Sequence, residues 1–250
     1  MEVGLLFVIV AVLIGCMIQR TSGMGVGLVV SPVLVLLIGP VAGILMTNVI
    51  AVASSSLMTL AVRADIDWRR YLQIAPVVVI GSVPAALLLS TAGTGLLEVV
   101  FGIVLLIAVG GTALLPALPE APLARAGIAT GIAGGFLNTA VGVASPALLV
   151  YARVTNWAHR PFAATLQPLF LTMAVVSIAT KSVVGLGSAT GMPSWPLIIA
   201  VVASVPVGVL IGGPVARRVP PTAAKRLAVT IVVLGSCATL IRGISRLLAG

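Results

Sequence analysis

Apolar runs of about 20 residues follow one another along the whole chain, separated by short breaks rich in glycine, proline or charged residues. Runs of this length are typical of helices that cross a membrane. Alternation of polar and apolar residues at period two, which would indicate a membrane β-barrel, is rare. The pattern predicts ten apolar segments, at about residues 3–19, 24–38, 41–62, 72–90, 95–115, 124–140, 141–152, 161–181, 195–215 and 223–248.

The composition agrees with this pattern. Of the 250 residues, 60% are hydrophobic and only 8% are charged. A soluble domain carries about three times that share of charged residues, because its surface must meet water. We therefore predict an all-α, polytopic membrane protein with about 8–10 membrane segments.

The positive charge lies mostly at the edges of the apolar segments. A formal net charge of +9 would suggest a nucleic-acid partner in a soluble protein. Here the Lys and Arg side chains lie almost entirely at segment ends, where they fix orientation and meet anionic lipid headgroups. We expect membrane lipids as partners and no nucleic acid. A homodimer is compatible with the sequence.

The two halves of the chain contain short matching stretches in the same order. Each match is weak, but the offset between matching residues grows slowly along the chain, as duplication followed by loop insertion would produce. The sequence therefore predicts two repeats, residues 1–118 and 119–250, within one integral membrane domain. The matches pair SPVL (31–34) with SPAL (145–148), Arg63 with Lys181, and SVPAALL (82–88) with SVPVGVL (204–210).

Basic residues mark opposite junctions in the two halves. In the first half they follow the first and third apolar segments, at Arg20 and in RADIDWRR at 63–70. In the second half they follow the second and fourth segments, at 153–160 and 217–226. Because positive loops stay in the cytoplasm, equivalent loops lie on opposite faces, and the repeats are predicted to be inverted.

Each half opens with two apolar pieces of only about 12–17 residues, which are short for a full crossing. They are joined by QRTSGMGVG in the first half and by GGFLNTAVG in the second. In both halves the second apolar piece contains a Ser-Pro dipeptide. Non-helical backbone at membrane depth is tolerated only where protein or a water-filled cavity covers it. Each repeat is therefore predicted to contain a broken, re-entrant helix pair beside a cavity, together with three full transmembrane helices.

The breaks expose helix N-termini, whose free N–H groups and positive dipole ends favour anions. Hydroxyl and amide side chains near the breaks add further hydrogen-bond donors. Inverted symmetry would bring the two breaks face to face near the midplane. We predict a substrate-binding site for a small anion, formed by Ser22, Gly23, Gly25, Gly27, Ser31, Asn48, Asn138, Thr139, Ser145 and Gln167.

Close helix packing is the alternative interpretation of the same residues. Glycine and serine let membrane helices approach one another, and buried amides form hydrogen bonds between helices. The placement of both breaks at equivalent positions, and the near-equivalence of Asn48 and Gln167 by the repeat offset, favour a shared site. Lys181 is a further candidate, although a position at the end of a span suits a side chain that extends to the interface equally well.

The sequence contains no pattern that indicates catalysis. The five acids lie at termini, in loops or near segment ends, so a carboxylate proton relay inside the membrane is not expected. His159 is the only histidine, and its neighbours Trp157 and Arg160 place it at the interface. Ser/His/Asp arrangements, Walker sequences and metal-ligand spacings do not occur. We predict no catalytic residue, metal or cofactor.

Two residues do not fit the inverted charge pattern. Arg242 and Arg246 lie near the end of the last apolar segment, which the pattern places outside the cytoplasm.

Four stretches, in order, carry a resemblance to a known family. They are SGMGVGLVVSPVL after the first segment, the span leading into RADIDWRR, the GSVPAALL helix, and the second copy GIAGGFLNTAVGVASPALLVY. Together they resemble the TauE/SafE sulfite exporter family over nearly the whole chain. Members of that family are bacterial inner-membrane permeases proposed to move sulfite, sulfonates or related small organic anions without an ATPase. The resemblance implies the same activity and location here.

The resemblance and the predicted site together favour a secondary transporter. It would move sulfite, a sulfonate or a related organic anion across the inner membrane by alternating access of two inverted halves. An anion channel and a membrane-embedded enzyme are the alternatives. An enzyme could use only Cys16, His159 and the Asp65/Asp67 pair, and no two of these groups are spaced as a catalytic unit.

Overall fold

A computed structural model describes residues 2–114, 121–186, 195–216 and 221–249. Within these ranges the regular structure is entirely helical. The all-α prediction is therefore confirmed for the described part of the chain, and the ten apolar segments coincide with its helices to within a few residues. The predicted boundary between the repeats, at residue 118, falls at 115–120, outside the described residues.

The helices of the first half form five segments. Four of them are continuous helices, and the remaining one, the fourth in order, is divided by a 3-10 turn at Ala75–Val77. Pro76 within this turn has no N–H to donate, so the regular helical hydrogen bonding is interrupted there. The helices are α1 (Glu2–Ser22), α2 (Val26–Ile38), α3 (Pro40–Val62), the divided segment α4 (Trp68–Ile74) with α5 (Val78–Thr91), and α6 (Thr94–Leu114).

The second half repeats this order of lengths. A helix of 19 residues is followed by one of 10 residues, and then by three longer helices. They are α7 (Leu123–Val141), α8 (Ser145–Val154), α9 (His159–Val183), α10 (Trp195–Ala216) and α11 (Pro221–Ala249).

Four helical segments of the described chain are long and apolar enough to cross a membrane, by length and composition. Their outward faces carry large apolar side chains, such as Leu60, Leu72 and Leu248, that are mostly exposed. Such side chains are costly in water and favourable against lipid. The chain is thus a multi-pass membrane protein. The four segments are Pro40–Asp65, Trp68–Thr91, His159–Val183 and Val229–Ala249.

Helix α2 turns back along α1 to form a helical hairpin. Its first helix has 21 residues, which is longer than the piece of about 12–17 residues that the sequence pattern predicts. Gly23 makes the turn with φ of 77°, in the left-handed region that glycine occupies at low cost. Gly25 then packs so closely on the end of α1 that a Cβ there would collide with the amide of Gln19 and the carbonyl of Gly15. The two helices can meet in this way only because these positions lack side chains. We call this pair hairpin 1 (residues 2–38).

Helix α8 likewise turns back along α7. Gly142 caps the end of α7 in the left-handed conformation, with φ of 75°. At the far end of the pair, the N–H of Ala121 donates to the carbonyl of Val154 at 3.0 Å, so the start of α7 and the end of α8 lie together. We call this pair hairpin 2 (residues 123–154).

The helices of the two halves pack against each other reciprocally. Helix α1 packs along α10, and its counterpart α7 packs along α5. The third segments, α3 and α9, pack together, as do the last segments, α6 and α11. Exchanging the halves therefore reproduces these four contacts, as expected for two units related by a twofold axis, whereas the packing of α2 on α3 is not repeated to a similar extent by α8 on α9. The halves are interlocked, so neither forms a separate core.

Two loops meet at one end of the bundle, which we call the arginine face (residues 63–67 and 155–158). Arg160 pairs with Asp65 at 3.1 Å. Arg70 donates to Oγ1 of Thr155 at 2.8 Å, and its guanidinium lies 4.7 Å from the ring centre of Trp157. This cation–π contact and the ion pair join the loops that follow α3 and α8.

The opposite end of the bundle, where α2 ends at Ile38 and α6 begins at Thr94, is called the terminal face. There Glu98 of α6 is fully buried and pairs with Arg242 at 2.7 Å and with Arg246 at 2.9 Å. Arg242 also donates to the carbonyls of Val35 and Leu36 at 2.9 and 2.6 Å, so it caps the end of α2. The two arginines that did not fit the charge scheme are thus bound to a carboxylate and to a helix end.

We expect Glu98→Gln to lower the free energy of unfolding by about 3 kcal/mol, because two arginines would lose their only carboxylate partner in the described structure. Thermal or denaturant unfolding of the detergent-solubilised protein measures this loss. The matched control is Asp65→Asn, which breaks the exposed pair with Arg160 and should cost at most about 1 kcal/mol. Equal losses in the two variants would contradict a dominant role of burial.

Candidate functional site

The turns of the two hairpins lie side by side inside the bundle. A Cβ built on Gly27 would lie 2.5 Å from the carbonyl oxygen of Gly142. One turn further along α2, the hydroxyl of Ser31 donates to the carbonyl of Val141 at 2.7 Å. The carbonyl at the end of α7 is therefore satisfied by a side chain from the other half. The prediction that the breaks face each other agrees with this geometry.

Two pairs of amide side chains join the hairpins to the long helices. Asn138 of α7 donates from Nδ2 to Oδ1 of Asn48 on α3 at 2.8 Å. Gln19 of α1 donates from Nε2 to Oε1 of Gln167 on α9 at 2.7 Å. Gln19 and Asn138 are 119 residues apart in the sequence, and so are Asn48 and Gln167. The same interaction thus occurs twice, with the roles of the halves exchanged.

The orientation of the Gln19 amide follows from its neighbours. Nε2 of Gln167 donates to the carbonyls of Gly23 and Ala163 at 2.9 and 3.2 Å, so its Oε1 must accept from Gln19. The Oε1 atom of Gln19 is then left buried and without a hydrogen-bond partner. A buried polar atom in this state is costly. A water molecule or a ligand that donates a hydrogen bond would remove that cost.

A cavity of about 30 Å³ lies between the hairpin turns, which is room for one or two water molecules. Its wall is mainly apolar and backbone, with a few polar side chains that point to one space, as is common in small-ligand sites. The lining comprises Gln19, Met24, Gly25, Val26, Gly27, Leu28, Ala51, Ser55, Asn138, Gly142, Val143, Ala144, Ser145 and Phe170.

Two helix N-termini open at this cavity. The residues before α2 and α8, Gly25 and Ala144, both line it, and no side chain caps either helix. The first N–H groups of a helix have no partner within the helix, and they carry the positive end of its dipole. Both helices thus direct positive partial charge at the cavity, although the side chains that line it carry no formal charge. Such a site favours an anion.

The ten predicted site residues have different positions around this cavity. Four line it directly: Gly25, Gly27, Asn138 and Ser145. Four others hold its walls through hydrogen bonds or the hairpin turn: Gly23, Ser31, Asn48 and Gln167. Thr139 is fully buried, and its hydroxyl has no partner. The side chain of Ser22 lies outside the described residues. The role of these residues in substrate binding stays a prediction.

Sequence reasoning missed several residues of the cavity wall. Gln19 was overlooked because it lies at the end of an apolar segment, yet the repeat spacing that pairs Asn48 with Gln167 also pairs Gln19 with Asn138. Ser55 and Phe170 line the cavity as well. Lys181 does not extend to the interface: it is fully buried, and its Nζ donates to Oγ of Ser177 at 3.1 Å.

Comparison with known proteins yields one match. A family model described as "Sulfite exporter TauE/SafE" matches residues 7–239, which is nearly the whole chain. No curated protein and no solved structure matches the chain.

We expect Gly27→Ala to destabilise the protein by about 1–3 kcal/mol, because its methyl group would overlap the Gly142 carbonyl and push the hairpins apart. Thermal unfolding in detergent measures this effect. Gly110→Ala on α6 is the control, since a Cβ there has no atom within 4 Å, and the better helix propensity of alanine should stabilise by up to about 1 kcal/mol. Similar shifts for both variants would count against tight packing of the turns.

Proposed function

The chain belongs to the TauE/SafE sulfite exporter family, and on that premise we propose that it is a secondary transporter of a small oxyanion. The substrate would be sulfite, a sulfonate or a related organic anion, and the membrane would be the bacterial inner membrane. The single observation that supports an anion most directly is the pair of uncapped helix N-termini at one buried cavity. Their free N–H groups are donors, as an oxyanion requires.

Asn138 would be the direct amide donor of the binding site, and Gln19, whose unpaired Oε1 atom only accepts hydrogen bonds, would contact the anion through a water molecule. Asn138 and Gln19 line the cavity, and each is held by an amide from a long helix of the other half. Side chains fixed in this way pay little ordering cost when a ligand binds. Donors without a formal charge also suit a carrier, because a small anion must be released as readily as it is bound.

We propose alternating access as the mechanism, with residues 1–118 and 119–250 as inverted repeats. The reciprocal packing of the two halves and their exchanged basic loops support this assignment. The arginine face would lie in the cytoplasm. A cavity of about 30 Å³ is too small for a sulfonate group together with its hydrating water. The hairpins would therefore have to separate on one face to admit the anion.

Replacing Asn138 or Gln167 by Leu should reduce sulfite flux into proteoliposomes by about 10- to 100-fold. Asn138→Leu removes an amide donor at the cavity, and a hydrogen bond to a charged group contributes about 1.5–3 kcal/mol. Gln167→Leu releases Gln19 and the Gly23 turn, which position the cavity wall.

Ser145→Ala removes only one hydroxyl and should cause a smaller loss. Gln73→Met is the matched amide control, since Gln73 bonds the hydroxyl of Tyr151 away from the cavity. Full flux in the Asn138 and Gln167 variants would refute the proposed site.

A carrier and a channel differ in how flux responds to substrate on the far side. If alternating access is correct, sulfite loaded inside the vesicles should accelerate entry of labelled sulfite several-fold, because the loaded carrier returns faster than the empty one. A panel of sulfite, methanesulfonate, acetate and chloride would rank the substrates in the same assay. Linear, unsaturable flux without acceleration would indicate a channel.

A further inference from the structure

Lys181 is a buried cation to which the proposed mechanism assigns no role. It lies near the end of α9, is fully buried, and has Ser177 as its hydrogen-bond partner. The carboxylates of the described residues with defined side chains are Asp65, Asp67 and Glu98, and each pairs with arginine. Within the described chain, then, the Lys181 ammonium has no anionic partner. Burial of such a group is costly, and structures retain it mainly where it has a function.

The position of Lys181 connects it to the cavity. Gln167, Phe170, Ala174, Ser177 and Lys181 follow one another at spacings of three or four residues, so they share one face of α9. Gln167 and Phe170 form part of the amide pair and of the cavity wall. Because Nζ reaches back to Ser177, the ammonium lies at the level of that residue, about 10 Å along the helix from Phe170.

The first half of the chain has no such charge. At the spacing of 119 residues that relates the amide pairs, the equivalent residues of α3 are Asn48, Ala51, Ser55, Met58 and Val62. Ala51 and Ser55 line the cavity, as Phe170 does on α9. Val62 therefore occupies the position of Lys181, and the neighbouring Arg63 is exposed. The charge is present only on the side of the cavity that leads to the terminal face.

We propose that the Lys181 ammonium is a second oxyanion-binding group, which binds the substrate between the central cavity and the terminal face. This inference rests on the proposed transport function. The ammonium has three N–H donors and uses one of them on Ser177. A sulfite, sulfonate or carboxylate oxygen would supply the counter-charge that the described side chains do not provide there. Without a carboxylate to displace, the anion would not have to compete for the site.

The test uses the full-length protein in proteoliposomes and in detergent, with sulfite as the probe. Lys181→Met removes the charge while keeping a long side chain, and Lys181→Arg restores a charge. Arg125→Met is the matched control, because it removes one positive charge from an exposed position at the start of α7. Each variant is measured for the sulfite concentration that gives half-maximal flux, and for thermal unfolding with and without sulfite.

We expect Lys181→Met to raise the half-saturating sulfite concentration about tenfold or more, in line with the loss of a charge-assisted hydrogen bond. Arg125→Met should change it by less than about twofold. Without sulfite, Lys181→Met should unfold at the same or a higher temperature than the parent, because an unpaired buried charge has been removed. Stabilisation by added sulfite should be lost in Lys181→Met and partly retained in Lys181→Arg.

Other outcomes would overturn the proposal. An unchanged half-saturating concentration in Lys181→Met, together with a lower unfolding temperature, would show that Lys181 is structural. An equal rise in Arg125→Met would show a bulk charge effect. If the parent protein transports sulfite and the Asn138 variant is impaired, either result rejects the proposed role of Lys181 and leaves the proposed transport function in place. If the parent neither transports nor is stabilised by any anion tested, both proposals fail.

Discussion

Backbone groups at helix ends inside a membrane must find partners within the protein, and this requirement governs the arrangement of the whole molecule. Hairpins 1 and 2 each end a helix and begin another in the interior. Backbone carbonyls at these helix ends accept hydrogen bonds from side chains of the other half. Ser31 donates to the Val141 carbonyl, and Gln167 donates to the Gly23 carbonyl. Each half therefore supplies the hydrogen bonds that the other requires. The reciprocal packing of the long helices holds these contacts in register.

Much of the architecture could be predicted because it depends on local composition. The apolar runs predicted the helices. The Gly-rich and Ser-Pro stretches predicted both breaks, because only particular residues permit such turns and such close approach of helices. Gln19, Glu98 and Lys181 could not be placed in the same way. Each lies near the end of a helix, where a polar residue is expected to meet water or lipid headgroups. Their burial depends on distant helices, such as α11 against α6, which local sequence patterns do not reveal.

The correspondence between the two halves is closest at the centre of the molecule and weaker toward its two faces. The amide pairs correspond residue for residue, although one pair is Asn–Asn and the other is Gln–Gln. The two pairs therefore make the same amide–amide hydrogen bond with side chains of different length. Toward the faces the chemistry diverges: the arginine face has exposed ion pairs, and the terminal face has a buried one. The two ends of the bundle are thus chemically inequivalent.

The contact of Arg242 with the end of α2 has a consequence for assembly. Arg242 lies in α11, and it caps carbonyls of α2, of which that of Leu36 lies 206 residues earlier in the sequence. Helix α1 likewise has its main partner in the distant helix α10. Hairpin 1 therefore cannot complete its contacts until α10 and α11 have been inserted beside it. Packing of hairpin 1 is in that sense a late event relative to the synthesis of its own two helices.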